Sequence, residues 1–554
     1  MKKNYDALVV GAGIGGIRSA LDLAETGRKV LLIDKKAAIG GLLTQLDHQF
    51  PTDHCGMCKM LPLTERDSSS QFCLRKGLFH RNIDILLSTE LEDLSGDPGE
   101  FQAILRKESG FVDPAKCIGC GECAEVCPVK VPSEFNAGLT KRAAVHLPVP
   151  HAIPNHYVVD LEHCVRCGQC QDACPTGAID FKSEARKEFT VLIADPDPKA
   201  AQAAAKVVEE LGFSLEIVST GDEAISRVLN EEEKSRIGLL LLDMSLDEPD
   251  PERVITRCLE IDPNLAVVLM DEDVDNEEIE RLMELGVREF AAKPLDETTT
   301  APWLDKLFMR IVSDELIEVD VATVIMAGGF ECFNPEPMSD VLGWGKYPGV
   351  LSSLEFERLI SGTGNNQLAH PVHGGPVKKI AWLQCVGSRD LRRNADFCSS
   401  ICCMISIKEA NLAKKLTRNQ EGGPAEATVF YMDMRVFGKN YQRYFDAAKD
   451  ENGVKFVRAR LHSVLPIDQD QEGAEGSVRV QYVNEQGEMT EDWFDMLVLA
   501  VGARPPKNMD KLARAAGVEV NDWGFVKTLP FEPSRTTRMG VFSAGSMSGA
   551  KDIT

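Results

Sequence analysis

The sequence predicts an α/β chain of several domains, in which smaller modules interrupt a parallel-sheet scaffold. Three observations carry this. Strand, glycine cluster, helix and strand open the chain as one βαβ unit. The same strand-then-glycine texture returns after residue 314. Between the two lie a cysteine-rich stretch and an acidic stretch with its own strand–helix rhythm. A length of 554 residues allows three or four domains at about 150 residues each. Apolar residues make up 44% and charged residues 27%, which excludes collagen-like, coiled-coil and mostly disordered chains.

Residues 5–10 are an apolar strand that meets a glycine cluster. Ile14, Ile17, Leu21 and Leu23 give residues 14–26 helical spacing, and Gly27 ends that helix. Residues 30–33 form a second strand, and parallel strands need the helix as a crossover. The turn reads Gly11-Ala12-Gly13-Ile14-Gly15-Gly16, a G-x-G-x-x-G in its proper strand–helix context. Gly11 permits the tight turn, Gly13 lets backbone approach a pyrophosphate, and Gly16 allows close helix–strand packing. Asp34 ends the second strand, placed to accept hydrogen bonds from a ribose. These features predict a dinucleotide site.

Later glycine segments choose the dinucleotide. Ile39-Gly40-Gly41, Ala327-Gly328-Gly329 and Val541-Phe-Ser-Ala-Gly545 make the chain resemble the two-dinucleotide-binding-domain flavoproteins of the thioredoxin-reductase type. The resemblance implies FAD, with Gly11, Gly13, Gly16, Asp34, Gly40, Gly41, Gly328, Gly329 and Gly545 around it. The FAD domain is then split into residues 1–110, 314–376 and 491–554. Residues 377–490 form the second, NAD-domain-like unit.

The chain has 17 cysteines, no run of 18 apolar residues and no signal-peptide pattern at its start. A cytoplasmic, reducing location is expected, where cysteines serve as metal ligands more often than as disulfides. Residues 111–189 carry Cys117-x2-Cys120-x2-Cys123-x3-Cys127-Pro128, repeated as Cys164-x2-Cys167-x2-Cys170-x3-Cys174-Pro175. This is the bacterial two-cluster ferredoxin run, in which the fourth cysteine serves the other cluster. One [4Fe-4S] cluster is assigned to Cys117, Cys120, Cys123 and Cys174, the other to Cys164, Cys167, Cys170 and Cys127. Zinc is the competing reading, and the doubled spacing weighs against it. The loop 128–163 is long enough to pack on the flavin domain.

Residues 190–313 hold 29 acidic and 12 basic side chains, most of the chain's net charge of −25. Such a balance argues against nucleic-acid binding. Five strands, at 191–194, 215–218, 239–242, 267–270 and 289–292, make this a complete small flavodoxin-like domain. It resembles a response-regulator receiver, with Asp243 at the phosphoacceptor position and Lys293-Pro294 after strand five. The usual acidic pair reads Asp195-Pro196, Asp197 is displaced by one residue, and Asp271 or Met270 replaces the hydroxyl residue after strand four. A degenerate receiver, docking or regulating without phosphorylation, is expected.

Outside that insert, about four-fifths of the chain resembles the A-type subunit of heterodisulfide reductase. The matching segments include Ile39-Gly-Gly-Leu-Leu-Thr-Gln-Leu-Asp47, Phe50-Pro-Thr-Asp-His-Cys-Gly-Met-Cys58, Ser353-Leu-Glu-Phe-Glu-Arg358 and Trp382-Leu-Gln-Cys-Val-Gly-Ser-Arg-Asp390. From residues alone, Cys385-x12-Cys398-x3-Cys402-Cys403 is open between buried structural cysteines and ligands. The resemblance implies that Cys385, Cys398, Cys402 and Cys403 ligate a third [4Fe-4S] cluster. Cys55 and Cys58 stay open between redox or ligand function and burial. Cys73, Cys258 and Cys332 are isolated and expected to be structural. After the strand at 380–383 the sequence lacks G-x-G-x-x-G, so direct NAD(P)H binding is not expected.

The resulting expectation is an electron-transfer subunit of a multi-subunit anaerobic oxidoreductase. Its FAD is the redox catalyst, and by resemblance its chemistry extends to flavin-based electron bifurcation. Partners would be proteins like the B- and C-type subunits of heterodisulfide reductase, dehydrogenase- or hydrogenase-linked subunits, and ferredoxin, in a hetero-oligomer or dimer. The alternatives are a redox-sensing signalling protein with the receiver-like domain as output, and a quinone-linked electron-transfer subunit. Family members usually continue past the position of Thr554. Ser546 stands where flavoproteins of this architecture commonly have an aspartate.

Overall fold

The structure is a computed structural model. It describes residues 3–46, 80–108, 110–150, 152, 155–165, 167–181, 189–229, 236–262, 265–271, 282, 285–295, 300, 304, 307, 314–362, 368–438, 440–467 and 476–551. Cys55, Cys58 and Cys73 lie outside the described residues.

A nine-stranded sheet forms the first unit. Lys3–Val10 pairs in parallel with Val30–Asp34 on one side and with Glu315–Met326 on the other. Val541–Ser543 lies parallel to Glu315–Met326, and Ile83–Leu87 closes the far side. Register explains the scattered glycines. Val10 is abreast of Met326 and Ile33, and Met326 is abreast of Ser543. The segments that follow, at Gly11, Gly328 and Gly545, therefore meet at the carboxyl ends of neighbouring strands, where α/β sheets bind ligands. Strand alternation buries both faces. Leu8, Val10, Leu31, Ile33, Val324 and Met326 share one core. Val9, Leu32 and Ile325 face the other way and pack on the helix Ile14–Glu25 through Ile17, Ala20, Leu21 and Ala24.

A second parallel sheet runs Val350–Ser352, Met496–Val501, Lys379–Val386, Glu426–Tyr431, Lys455–Arg458. Helices Ser353–Gly362 and Cys402–Thr417 pack on it around Phe356, Trp382, Met404 and Ile407. Its composition differs from the expected boundaries at 376 and 491. Val350–Ser352 pairs with Leu497–Leu499, and Ile380–Leu383 pairs with Met496–Leu499. Val350–Ser352 and Met496–Val501 thus belong to the second sheet, although the rest of the segments that carry them supplies strands to the first. Met496–Val501 is buried at every position, as a central strand must be, and an apolar run of this kind does not say which sheet it joins.

The cysteine-rich module is small. Two four-residue helices, Glu122–Glu125 and Gln169–Asp172, and two short antiparallel strand pairs enclose a core that includes Phe111 and Phe181. The acidic insert is a separate parallel sheet in the order Ser214–Val218, Phe189–Ala194, Arg236–Asp243, Ala266–Asp271, Glu289–Ala292. That is the flavodoxin-like order 2-1-3-4-5, with every expected strand present.

Candidate redox sites

The dinucleotide cradle is built from backbone. A Cβ on Gly11 would stand 2.4 Å from the Ala327 carbonyl oxygen, so the first two glycine segments touch only because Gly11 has no side chain. Gly41, at φ +58°, brings its own chain against Gly13, where a Cβ would lie 3.2 Å from the Gly13 Cα. The Gly40 amide donates to the Ala12 carbonyl at 2.8 Å. Across the turn, a Cβ on Gly15 would be 3.6 Å from the Gly545 Cα. Gly328 donates to the Met547 sulfur at 3.1 Å. Gly13 itself faces open space, and no side chain caps the helix that starts after it. A helix N-terminus with free amides beside a side-chain-free gap fits a pyrophosphate.

Asp34 does a local job in the cradle. Its Oδ2 accepts from the Ala12 amide at 2.6 Å and its Oδ1 from the Lys36 amide at 2.8 Å. Burial raises its pKa above the ordinary carboxylate value despite these amides and the nearby Lys36 and Lys35. Each oxygen keeps a lone pair for a further donor. Ser546 donates to the Lys551 carbonyl at 3.0 Å.

In the small module the structure gathers two thiol quartets. Cys117, Cys120, Cys123 and Cys174 line a hollow with Val112, Ile118 and Tyr157. Cys127, Cys164, Cys167 and Cys170 line a second with Val129, Val145 and Phe181. Each fourth cysteine has crossed to the opposite run. Burial, then the neighbouring thiols, pushes Cys123 up to about 12 and Cys164 and Cys170 up to about 11. Four thiolates in one apolar hollow need a cationic core to remain ionised. The hollows fit a cubane; a single zinc ion draws its thiolates to about 2.3 Å from the metal.

A third quartet sits at the end of the second sheet. Lys379–Val386 loses its regular register between Leu383 and Val386, and Cys385 there takes a left-handed backbone, φ +63°. Arg389 and Ser400 are left-handed too, at +57° and +61°. Non-glycine residues in this region carry strain that the surrounding fold must hold, a common mark of functional loops. Cys402 and Cys403 open the helix Cys402–Thr417 and are buried. The Ser400 amide donates to Cys398 Sγ at 3.3 Å and the Arg435 amide to Cys403 Sγ at 3.4 Å. Burial is the main cause that raises the Cys402 and Cys385 thiols; Cys385, Cys398 and Cys403 all add to the rise at Cys402. It pushes Cys403 up to about 11. This donor set is again four thiols in a low-dielectric pocket, and it fits an iron–sulfur cluster. Cys258 is fully buried in the insert's core, and Cys332 pairs with Ala503 in a two-stranded ribbon.

Several residues near these sites had no role assigned from the sequence, though some lie in the segments that carry the resemblance. Arg389 ion-pairs with Asp433, and Arg435 reaches the same carboxylate at 3.1 Å, so two guanidiniums border the third quartet. Beneath it, Lys408 meets Glu357 at 2.5 Å with both nearly fully buried, and Glu409 accepts from the Trp382 indole at 2.9 Å. On a helical wheel such residues read as solvent-facing. Arg358 joins three regions. It donates from Nε to Asn136 Oδ1 at 3.2 Å and from Nη1 to the Gln45 carbonyl at 3.0 Å, and it lies 4.2 Å over the Phe135 ring. Gln45 in turn donates to the carbonyls of Glu134 and Phe135 at 2.8 and 3.0 Å. The long module loop therefore packs on the turn Gly41–Gln45, which starts at the cradle.

In the acidic insert, Lys293 contacts both Asp195, at 2.6 Å, and Asp243. Burial alone would lower the lysine, but the two carboxylates raise it. Asp197 caps the helix Pro198–Glu210 by accepting from the Lys199 amide at 3.0 Å.

Three family models match the chain, at residues 6–54 (FAD dependent oxidoreductase), 115–179 (4Fe-4S dicluster domain) and 191–301 (response regulator receiver domain). Curated relatives align across 99% of the chain. Two are CoB--CoM heterodisulfide reductase iron-sulfur subunits of Methanopyrus kandleri, A 1 at 30% and A 2 at 28% identity. The A-type subunit of the H(2)/formate:CoB-CoM heterodisulfide,ferredoxin reductase of Methanococcus maripaludis is 29% identical.

The chain is a homologue of the A-type subunit of heterodisulfide reductase.

It spans 61% of the length of each of these heterodisulfide reductase relatives. The alignments run past the four-fifths marked by shared motifs and cover the acidic insert as well. A thioredoxin reductase of T. acidophilum aligns with 100% of the chain and 93% of its own, at 10% identity and a TM-score of 0.39.

Proposed function

We propose that this heterodisulfide reductase homologue is the flavin- and cluster-bearing electron-transfer part of a multi-subunit oxidoreductase. The observation that carries the reading is the joint at Arg358 and Gln45, which holds the two-hollow module on the dinucleotide domain. FAD exchanges electron pairs, the clusters exchange single electrons, and together they convert one kind of traffic into the other.

The chain's own residues have definite tasks in this reading. The amides after Gly13 and the gap at Gly13, Gly41 and Gly545 receive the pyrophosphate, and Asp34 receives a ribose hydroxyl. Cys117, Cys120, Cys123 and Cys174 hold one [4Fe-4S] cluster, and Cys127, Cys164, Cys167 and Cys170 a second. Cys385, Cys398, Cys402 and Cys403 hold a third. Arg389 and Arg435 place positive charge beside that last quartet and favour its more reduced, more negative state. Among the described residues no helix is long and apolar enough to cross a membrane. Electron donors and acceptors are other subunits and ferredoxin-class carriers in the cytoplasm, and flavin-based bifurcation lies within this chemistry.

The insert serves as a docking or regulatory module without phosphorylation. Asp197 is committed to its helix cap, and Lys293 already bridges Asp195 and Asp243. Acetyl phosphate with Mg²⁺ should add no phosphoryl mass at Asp243; stoichiometric labelling there would refute this part. For the main reading, the chain is purified without oxygen and titrated with dithionite. Flavin bleaching and cluster bleaching should both occur in one polypeptide, and each should reverse with a one-electron carrier. A colourless, cofactor-free preparation would reject it.

A further inference from the structure

The loops around the third thiol quartet carry exposed apolar and cationic side chains. Leu391 and Phe437 are 83% and 84% exposed there. Each lies two residues from a guanidinium bordering the quartet, Arg389 and Arg435, and Asp433 bridges those two. Arg392, next to Leu391, and Arg458 and Arg460 are exposed, and no carboxylate pairs with any of the three among the described residues. Arg458 and Arg460 are tied to the same loop through Met432, by Nε to its carbonyl at 3.1 Å and to its sulfur at 3.0 Å. Large apolar side chains rimmed by unpaired cations mark a recognition surface. In a protein of net charge −25 the rim selects an acidic partner by local field.

We propose that this face docks an acidic one-electron carrier protein of the ferredoxin class, with Leu391 and Phe437 as anchors and Arg392, Arg458 and Arg460 as the steering rim. The inference rests on the electron-transfer reading and deepens it by naming where one partner binds. The rival apolar positions beside a thiol quartet are Ile118 and Val165 on the two-hollow module, 64% and 65% exposed; Phe531 and Met539 are as exposed but border no quartet. The helices that follow them carry Glu122, Glu125 and Asp172, which repel an acidic partner. The exchange at the proposed face moves one electron from this protein into the carrier's oxidised centre. No bond is made or broken and no proton moves.

The test uses the full chain, purified anaerobically with its cofactors, and an acidic two-cluster bacterial ferredoxin as probe. Calorimetry at low salt should show a complex. Arg392→Glu with Arg460→Glu should raise its Kd at least about tenfold and flatten its salt dependence. Leu391→Ala with Phe437→Ala should weaken it several-fold with little change in salt dependence. Lys206→Glu, on the insert, should leave Kd unchanged. Flavin and iron contents check that each variant is intact. The inference is overturned if the arginine reversals leave Kd at the wild-type value, if Lys206→Glu weakens binding equally, or if only Ile118→Glu abolishes it. Stopped-flow reduction separates the two levels of the account. Wild type that trades electrons with the carrier while the arginine reversals change nothing refutes the docking face alone. Wild type that holds its cofactors yet neither binds nor trades electrons refutes the electron-transfer reading with it.

Discussion

In the small module, three cysteines of each quartet come from one short run around a four-residue helix, and the fourth arrives from the other run. In the second domain, one cysteine comes from a distorted strand end, one from a loop and two from the first turn of a sixteen-residue helix. The first hollows are open, with Cys120 and Cys167 exposed; in the second site Cys402 and Cys403 are buried on top of a packed core. Local ligation writes itself into sequence spacing. Ligation by a fold does not, because the strand and the helix must first be placed. On the proposed cluster reading, the first site would be held mainly by its metal and the second also by its domain.

The largest expected effect exploits that difference. Cys402→Ala should remove about four irons per chain and destabilise the second domain by about 2–4 kcal/mol, since it empties a fully buried position. Cys120→Ser should disturb one cluster while leaving thermal unfolding of the second domain within about 0.5 kcal/mol. Iron analysis and anaerobic melting followed by tryptophan fluorescence check both.

Lys408→Met comes next, because the second domain's rigidity depends on what lies under its thiols. It leaves the Glu357 carboxylate buried without its ammonium, and about 3–5 kcal/mol of stability should be lost in urea titration. Smaller is the effect of Arg389→Gln. Losing one bordering guanidinium should lower the midpoint potential of the third centre by about 40 mV, the one-electron equivalent of about 1 kcal/mol. The two module centres should not move.

The smallest effect is a pH slope. Burial, then the neighbouring Glu357 charge, raises the Glu409 carboxyl well above its ordinary value, against Lys408 and the Trp382 indole. A carboxyl raised in the fold contributes stability at pH below its unfolded value and loses it as pH rises through the folded value. Glu409→Gln should flatten the fall in melting temperature as pH rises above the ordinary carboxylate range. An unchanged slope would mean that Glu409 does not titrate there.

Much of this was legible in the order of residues alone. The glycine turn at Gly11–Gly16, the crossing of Cys127 and Cys174, and all five strands of the insert follow from period and spacing. Sheet membership was not legible: Met496–Val501 is uniformly apolar and suits the centre of either large sheet. Nor were the roles of Arg358, Lys408 and Glu357, whose partners lie on distant segments and whose polarity resembles an exposed helix face. Asp433 and Arg435 gained meaning only once the loop after Glu426–Tyr431 was seen to lie on the thiols.

The most direct measurement is Mössbauer spectroscopy on the iron-57-enriched full chain, wild type against Cys402→Ser, with flavin assayed on the same samples. The account predicts three [4Fe-4S] centres beside one FAD in wild type, and loss or conversion of one centre in the variant with the other two unaltered. Two centres in wild type and an identical spectrum in the variant would contradict it.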